Sequence, residues 1–119
     1  MVCILLLVLS LYWLVVLSPT REQKYMYQLR ACYKDLHAMI DRNNWQPLML
    51  RLAWSDAVSY DCMVASWPHC GGVNGSIRFD FNLDRPANAG LSKAIDFLKP
   101  LHYRYPIISW ADLIQMVGR

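Results

Sequence analysis

The sequence predicts an all-α protein, a helical body over residues 19–119 behind one apolar helix over residues 1–18. Three observations predict it. Apolar side chains recur at Tyr25/Met26, Leu29, Cys32/Tyr33, Leu36 and Met39/Ile40, which places them on one face of a helix. Two capping patterns, Thr20-x-x-Gln23 and Ser109-x-x-Asp112, mark helix starts. No stretch alternates apolar and polar residues long enough for a sheet. At 119 residues, without internal repeats or low-complexity tracts, the chain holds one domain at most.

The N-terminal helix comes first. Residues 1–20 carry no charged side chain, and Val2 to Leu17 is a Val/Leu/Ile run interrupted by little more than Ser10 and the pair Tyr12-Trp13. A helix over this run rises ~25 Å, the short end of a membrane span. It reads either as a secretory signal peptide or as a retained membrane helix. Retention is favoured: no basic residue precedes the apolar run, and no small-x-small cleavage pattern precedes Ser18-Pro19-Thr20. A run so short of polar faces fits a buried helix of a soluble protein poorly. Cys3, within it, reads as a small hydrophobe. The span would meet membrane lipid through residues 2–17. Arg21, Lys24, Arg30 and Lys34 follow it closely, so the positive-inside rule puts the body on the cytoplasm-like side, the stroma or matrix of an organelle. Tyr25 and Tyr27 stand where interface aromatics are expected.

The body's helices follow in order. The first runs from its Thr20 cap to Asn43-Asn44. The second starts with Pro47 in its first turn and reaches about Tyr60. Residues 61–85 form a long connection with Gly71-Gly72 and Gly75, of a length usually functional or anchored to a partner. The third helix is expected over Pro86–Lys99, with Leu91, Ala94, Ile95 and Leu98 on one face, and Pro100 and Pro106 close that region. The fourth covers Trp110–Val117.

Composition excludes some functions. A net charge of +3 with no basic stripe gives no argument for nucleic-acid binding. Cys62, His69 and Cys70 match no common zinc spacing and lack a fourth ligand, so no metal is expected. A Cys62–Cys70 disulfide would need an oxidising compartment, against the orientation argument, and the redox states of Cys32, Cys62 and Cys70 stay open. Among the histidines, His37 reads as solvent-facing on the first body helix, His69 lies in the glycine-rich connection, and His102 follows Pro100 at a helix end. Each reads as a surface or structural residue.

Residues 51–58 read Arg-Leu-Ala-Trp-Ser-Asp-Ala-Val, and in a helix Arg51, Trp54 and Ser55 stand at i, i+3 and i+4 on one face. The segment resembles the distal helix of the class I haem peroxidases, the ascorbate and cytochrome c peroxidase group. Trp67–Asp80 resembles the glycine-rich stretch of plastid-type ascorbate peroxidases. Asn88-Ala89-Gly90-Leu91 is similar to the segment with that family's distal asparagine, and Tyr105–Leu113 to the start of its next helix. The resemblance covers about residues 25–118. It implies the distal, N-terminal part of a helical haem-peroxidase domain. By position Arg51 matches the distal arginine, Trp54 the distal tryptophan and Asn88 the distal asparagine. Ser55 stands where the family has the histidine that takes a proton from peroxide, and a hydroxyl cannot do that near neutral pH. Val58 stands where the family has a small residue, so its branched side chain crowds the haem edge. The family's proximal histidine, with its aspartate, tryptophan and ascorbate-binding arginine partners, would fall downstream of Arg119. The resemblance thus implies no axial ligand and no bound haem, with Arg51, Trp54, Ser55 and Asn88 as vestiges of a site.

Helices that face haem in the family would then expose Leu, Trp and Met surface that needs a cover. Together with the apolar span, this gives the expectation of a catalytically inactive subunit of an organellar membrane complex, its partners the other subunits. The plastid look of residues 67–80 favours a thylakoid photosystem. A mitochondrial respiratory complex comes next, because Asp84–Gly90 also resembles the cytochrome c peroxidase branch. Two other readings compete: a membrane-anchored haem peroxidase represented by part of its chain, and a haem- or redox-sensing module whose partner supplies the axial ligand.

Overall fold

The computed structural model describes residues 2–118, and among these it is helical with no strand. Helix α1 covers Val2–Val16 and α2 covers Arg21–Asn43. The Thr20 hydroxyl accepts the Gln23 N–H at 3.2 Å and the Gln23 side chain accepts the Thr20 N–H at 3.0 Å, which closes the capping box read from the sequence. Asn44 ends α2 in the left-handed region, where its N–H reaches the Ile40 carbonyl. The buried stripe of α2 is Cys32, Leu36 and Ile40. Met26 and Tyr33, placed on the core face by periodicity, are exposed. The stripe begins only near Leu29, so the first two turns of α2 stand clear of the core.

Helix α3 covers Gln46–Ala57, with Pro47 in its first turn, where a missing N–H is harmless. It stops short of the expected Tyr60. The chain turns there to meet the glycine-rich connection: Gly72 N–H donates to the Ser59 hydroxyl at 3.0 Å and Asp61 N–H to the Cys70 carbonyl at 2.7 Å. The connection over 61–85 is not structureless. It holds a 3-10 turn at Ser76–Arg78 and a one-turn helix, α4, at Asp80–Leu83. Both are too short to leave a periodic signal.

The helix expected over Pro86–Lys99 is shifted. Pro86–Asn88 forms a separate 3-10 turn, Gly90 breaks it with φ +85°, and α5 runs over Leu91–Arg104. Pro100 lies inside α5 rather than closing it. Proline removes one backbone bond to the carbonyl four residues back, here Asp96. Pro100 and Asp96 are both exposed, so the lost bond falls on the solvent side of the helix. Leu98 and Leu101, both buried, hold the final turn in place. Helix α6 covers Trp110–Met116, capped as expected by the Ser109 hydroxyl, which accepts the Asp112 N–H at 3.0 Å.

The core gathers α2, α3, α5 and α6. Met49 and Leu52 of α3, Leu91, Ile95 and Leu98 of α5, and Leu113 and Ile114 of α6 are buried together with the α2 stripe. Trp45 stacks on Phe97 with ring centres 4.5 Å apart. The membrane expectation changes in one respect. Among the described residues no single helix is long and apolar enough to cross a membrane, and α1 passes only with α2, which is bent from it by 48°. The 15 residues of α1 rise ~22 Å, less than the ~30 Å of a hydrocarbon core.

A polar clip joins α2 to the end of α5. The Asp35 carboxylate accepts the Tyr105 hydroxyl at 2.8 Å and the Arg104 guanidinium at 3.0 Å. These two donors, the hydroxyl first, hold the Asp35 carboxyl below the usual carboxylate range. A lowered folded pKa means the clip contributes stability above the unfolded-state pKa and loses it as pH falls through the folded value. Asp35→Asn is therefore expected to flatten the acid limb of a melting-temperature profile while leaving its neutral-to-alkaline slope in place. An unchanged acid limb would show that the clip does not couple α2 to α5.

Candidate functional site

The carboxylate next to Ser55 organises the region. Asp56 is 1% exposed on the buried side of α3. It accepts the Gly75 N–H at 3.0 Å and, at a longer 3.4 Å, the Ile77 N–H. A buried carboxylate is tolerated when donors meet it, and here the donors are the backbone of the glycine-rich connection. The glycines permit the approach. A Cβ on Gly71, which has φ +67°, would collide with the Ser59 carbonyl. One on Gly75 would sit 3.1 Å from both the Ala111 nitrogen and the Trp110 Cβ. The Asn82 amide then donates to the Ser76 carbonyl at 2.8 Å and draws α4 over the 3-10 turn.

These bonds leave a cleft of about 300 Å³ between α3, the 3-10 turn at Ser76–Arg78 and the turn at Pro86–Asn88. Ser55, Val58, Ser59, Ser76, Ile77, Asn82, Arg85, Ala87 and Asn88 line it. Of the four residues singled out from the sequence, Ser55 and Asn88 therefore share one cleft. Arg51 reaches its rim, where its guanidinium donates to the Ala87 carbonyl at 2.8 Å. Trp54 does not line the cleft and is 66% exposed. The Asn88 amide donates to the Asn82 carbonyl at 2.8 Å, so Arg51 and Asn88 both serve as struts between backbone segments. The lining contains no imidazole, thiol, thioether or phenol, the side chains that ligate haem iron.

The histidines lie elsewhere. His37 is half-buried rather than solvent-facing: its ring leans on Tyr33 at 4.2 Å, and its Nε2 is buried without a partner. His102 sits in the last turn of α5 and stacks on Trp110 at 4.5 Å. His69 is exposed in the connection. Among the described residues no group of three His, Cys, Asp or Glu is placed to hold a metal ion. Cys32, Cys62 and Cys70 are free thiols. Burial, and then the neighbouring Asp35 charge, push the Cys32 thiol up to about 11.

Sequence reasoning missed Asp56. Its signal was there: it follows Leu52 and Ala53 at i+4 and i+3, so it continues a core stripe, and a carboxylate there needs dedicated donors.

The profile of the peroxidase family matches residues 32–119. The chain belongs to the peroxidase family. A probable L-ascorbate peroxidase 7, chloroplastic, from Oryza sativa subsp. japonica is 40% identical over 91 residues, 76% of this chain and 25% of that protein. An L-ascorbate peroxidase 5, peroxisomal, from Arabidopsis thaliana is 42% identical over 97 residues, 82% of this chain and 33% of that protein. The crystal structure of the TL29 protein from Arabidopsis thaliana matches with a TM-score of 0.72 at 32% identity, covering 82% of this chain and 40% of that one. This peroxidase-family chain thus spans about a quarter to a third of the length of these ascorbate peroxidases.

Two outcomes are expected from this geometry. Asp56→Ala strands two buried N–H groups and should destabilise the fold by about 3 kcal/mol in chemical denaturation, with a smaller loss for Asp56→Asn, which keeps one acceptor. Peptide mapping after brief alkylation of the folded protein at neutral pH should find Cys62 modified and Cys32 intact. Equal labelling of the two would contradict the burial of Cys32.

Proposed function

We propose that this peroxidase-family domain does not turn over peroxide and serves instead as an accessory subunit of an organellar membrane complex. The observation that carries this reading is Ser55. By resemblance it occupies the position of the base, and a hydroxyl with no imidazole or carboxylate beside it in the cleft lining cannot take a proton near neutral pH. The neighbouring groups support the same reading. Arg51 is engaged with the Ala87 carbonyl, and Asn88 directs its amide at Asn82. On this reading the segment holds no haem, and its cleft lining adds no iron ligand of its own.

The complex is proposed from two further features. Residues 1–18 act as a lipid-embedded anchor, with residues 19–119 as the body on the stromal or matrix side. The outward face of α3, with Leu50 and Trp54 exposed at i and i+4, is the kind of apolar surface that another subunit or a further segment covers. The chloroplastic ascorbate peroxidases among the relatives, and the likeness of residues 67–80 to plastid-type sequences, favour the thylakoid and a photosystem over the mitochondrial inner membrane.

A second reading keeps the enzyme. Identity of about 40% to ascorbate peroxidases extends through the whole cleft region, as an active relative represented by part of its chain would show. Spectra separate the two. The chain purified from its native membrane is expected to lack a Soret band, to leave peroxide unconsumed, and to migrate with a large membrane complex. A Soret band with peroxide turnover would establish the enzyme instead. If haem is present without turnover, Ser55→His should raise the peroxide reaction by about 10²-fold or more, as restored base catalysis does. No change there would remove Ser55 as the cause of inactivity.

A further inference from the structure

We propose that the first two turns of α2 and the turn over residues 105–109 form a second membrane contact, a basic and aromatic shelf that binds anionic lipid headgroups beside α1. The proposal rests on the membrane reading above and adds a lipid-binding site on the body itself.

The argument begins with length. Helix α1 rises ~22 Å and is too short for a hydrocarbon core of ~30 Å. Such a shortfall is met by thinning the bilayer and by drawing flanking residues into the interface. Only residues 17–20 separate α1 from α2, so the start of α2 cannot stand far from the headgroups. The axes of α1 and α2 differ by 48°, so α2 does not simply continue the span away from the surface.

The grooves at the start of α2, one of which reaches Pro19 in the linker to α1, have the matching chemistry. A groove of about 670 Å³ is lined by Arg21, Glu22, Lys24, Tyr25, Met26 and Ile107. A second groove, of about 560 Å³, shares Lys24 and Ile107 and adds Tyr27. Tyr27 is 77% exposed and Ile107 48%, although both are large hydrophobic side chains. Arg21 and Lys24 against Glu22 leave the groove lining net positive, the nearby Asp112 carboxylate being engaged by Tyr25 and Ser109, and long basic side chains extend their stems along apolar surface while the charge reaches a phosphate. Tyrosine at the headgroup level is the usual interfacial aromatic.

The shelf is also braced. The Tyr25 hydroxyl donates to the Asp112 carboxylate, which accepts the Ser109 hydroxyl as well at 2.9 Å. These bonds lock the 105–109 turn against α2, so Ile107 and the Arg21–Lys24 turn are presented as one surface. Seating it would fix the orientation of the body over the membrane, which a single flexible tether does not do.

The test uses the full chain in vesicles of phosphatidylcholine alone and of phosphatidylcholine mixed with phosphatidylglycerol. Carbonate-resistant insertion reports the span, and backbone hydrogen exchange reports the shelf. Insertion is expected in both vesicles. Exchange over residues 21–28 and 105–109 is expected to slow about tenfold in the mixed vesicles only, and Arg21→Gln/Lys24→Gln should reverse that slowing without affecting insertion. Insertion with the same exchange in both vesicles, or slowing that the double variant leaves untouched, would overturn the shelf and leave the span standing. Slowing seen in native membranes but never in protein-free vesicles would make this face a protein contact and likewise overturn the lipid proposal. Failure to insert in either vesicle would remove the span and the shelf with it.

Discussion

The arrangement of this domain depends on one buried carboxylate. Asp56 accepts N–H groups from Gly75 and Ile77, and through them it holds a long, glycine-rich connection against α3. An unpaired charge at that depth would be costly, so the connection and the helix stabilise each other. Everything that shapes the cleft is built on that anchorage: the 3-10 turn at Ser76–Arg78, the Asn82 amide that draws α4 across it, and the Asn88 amide that ties the next turn to Asn82. Arg51 then closes the frame from α3 to Ala87. The site is a network of side chains bonded to backbone, and it persists without any contribution from Ser55.

That independence bears on how catalysis can be lost in such a fold. Positions that support the frame and the position assigned to proton transfer are adjacent in sequence yet mechanically separate. Ser55 lines the cleft but makes none of the bonds that hold it open, whereas Asp56 beside it makes two. A substitution at 55 therefore changes the chemistry available in the cleft without removing any of these bonds. Retained Arg51 and Asn88 are explained by their structural bonds, whatever chemistry relatives perform.

The legible parts of the fold were those with local physical signatures. The capping boxes at Thr20 and Ser109 placed two helix starts, and the periodicity of Cys32, Leu36 and Ile40 placed the core stripe of α2. Boundaries failed where tertiary contacts decide them. Pro100 stays within α5 because its lost bond falls on the solvent side while Leu98 and Leu101 are buried. Helix α3 ends early because Ser59 and Asp61 are engaged by the glycine loop. The residues singled out by resemblance to a family, rather than by spacing, are separated in the structure: Trp54 is exposed while Ser55 and Asn88 share the cleft. Asp56 was passed over because a lone acidic residue in a helix reads as solvated until its donors, some 20 residues away, are in view.

Helix α2 is a single rod of 23 residues whose far half is embedded in the core and whose near half is not. Two polar stays hold it, Tyr25 to Asp112 near its start and Asp35 to Arg104 and Tyr105 near its middle. Along α2 from its junction with α1 come first the Tyr25 stay, then the start of the buried stripe and the Asp35 clip within its length. The two stays thus tie the start of α2 to α6 and its middle to the end of α5, by residues outside the buried stripe.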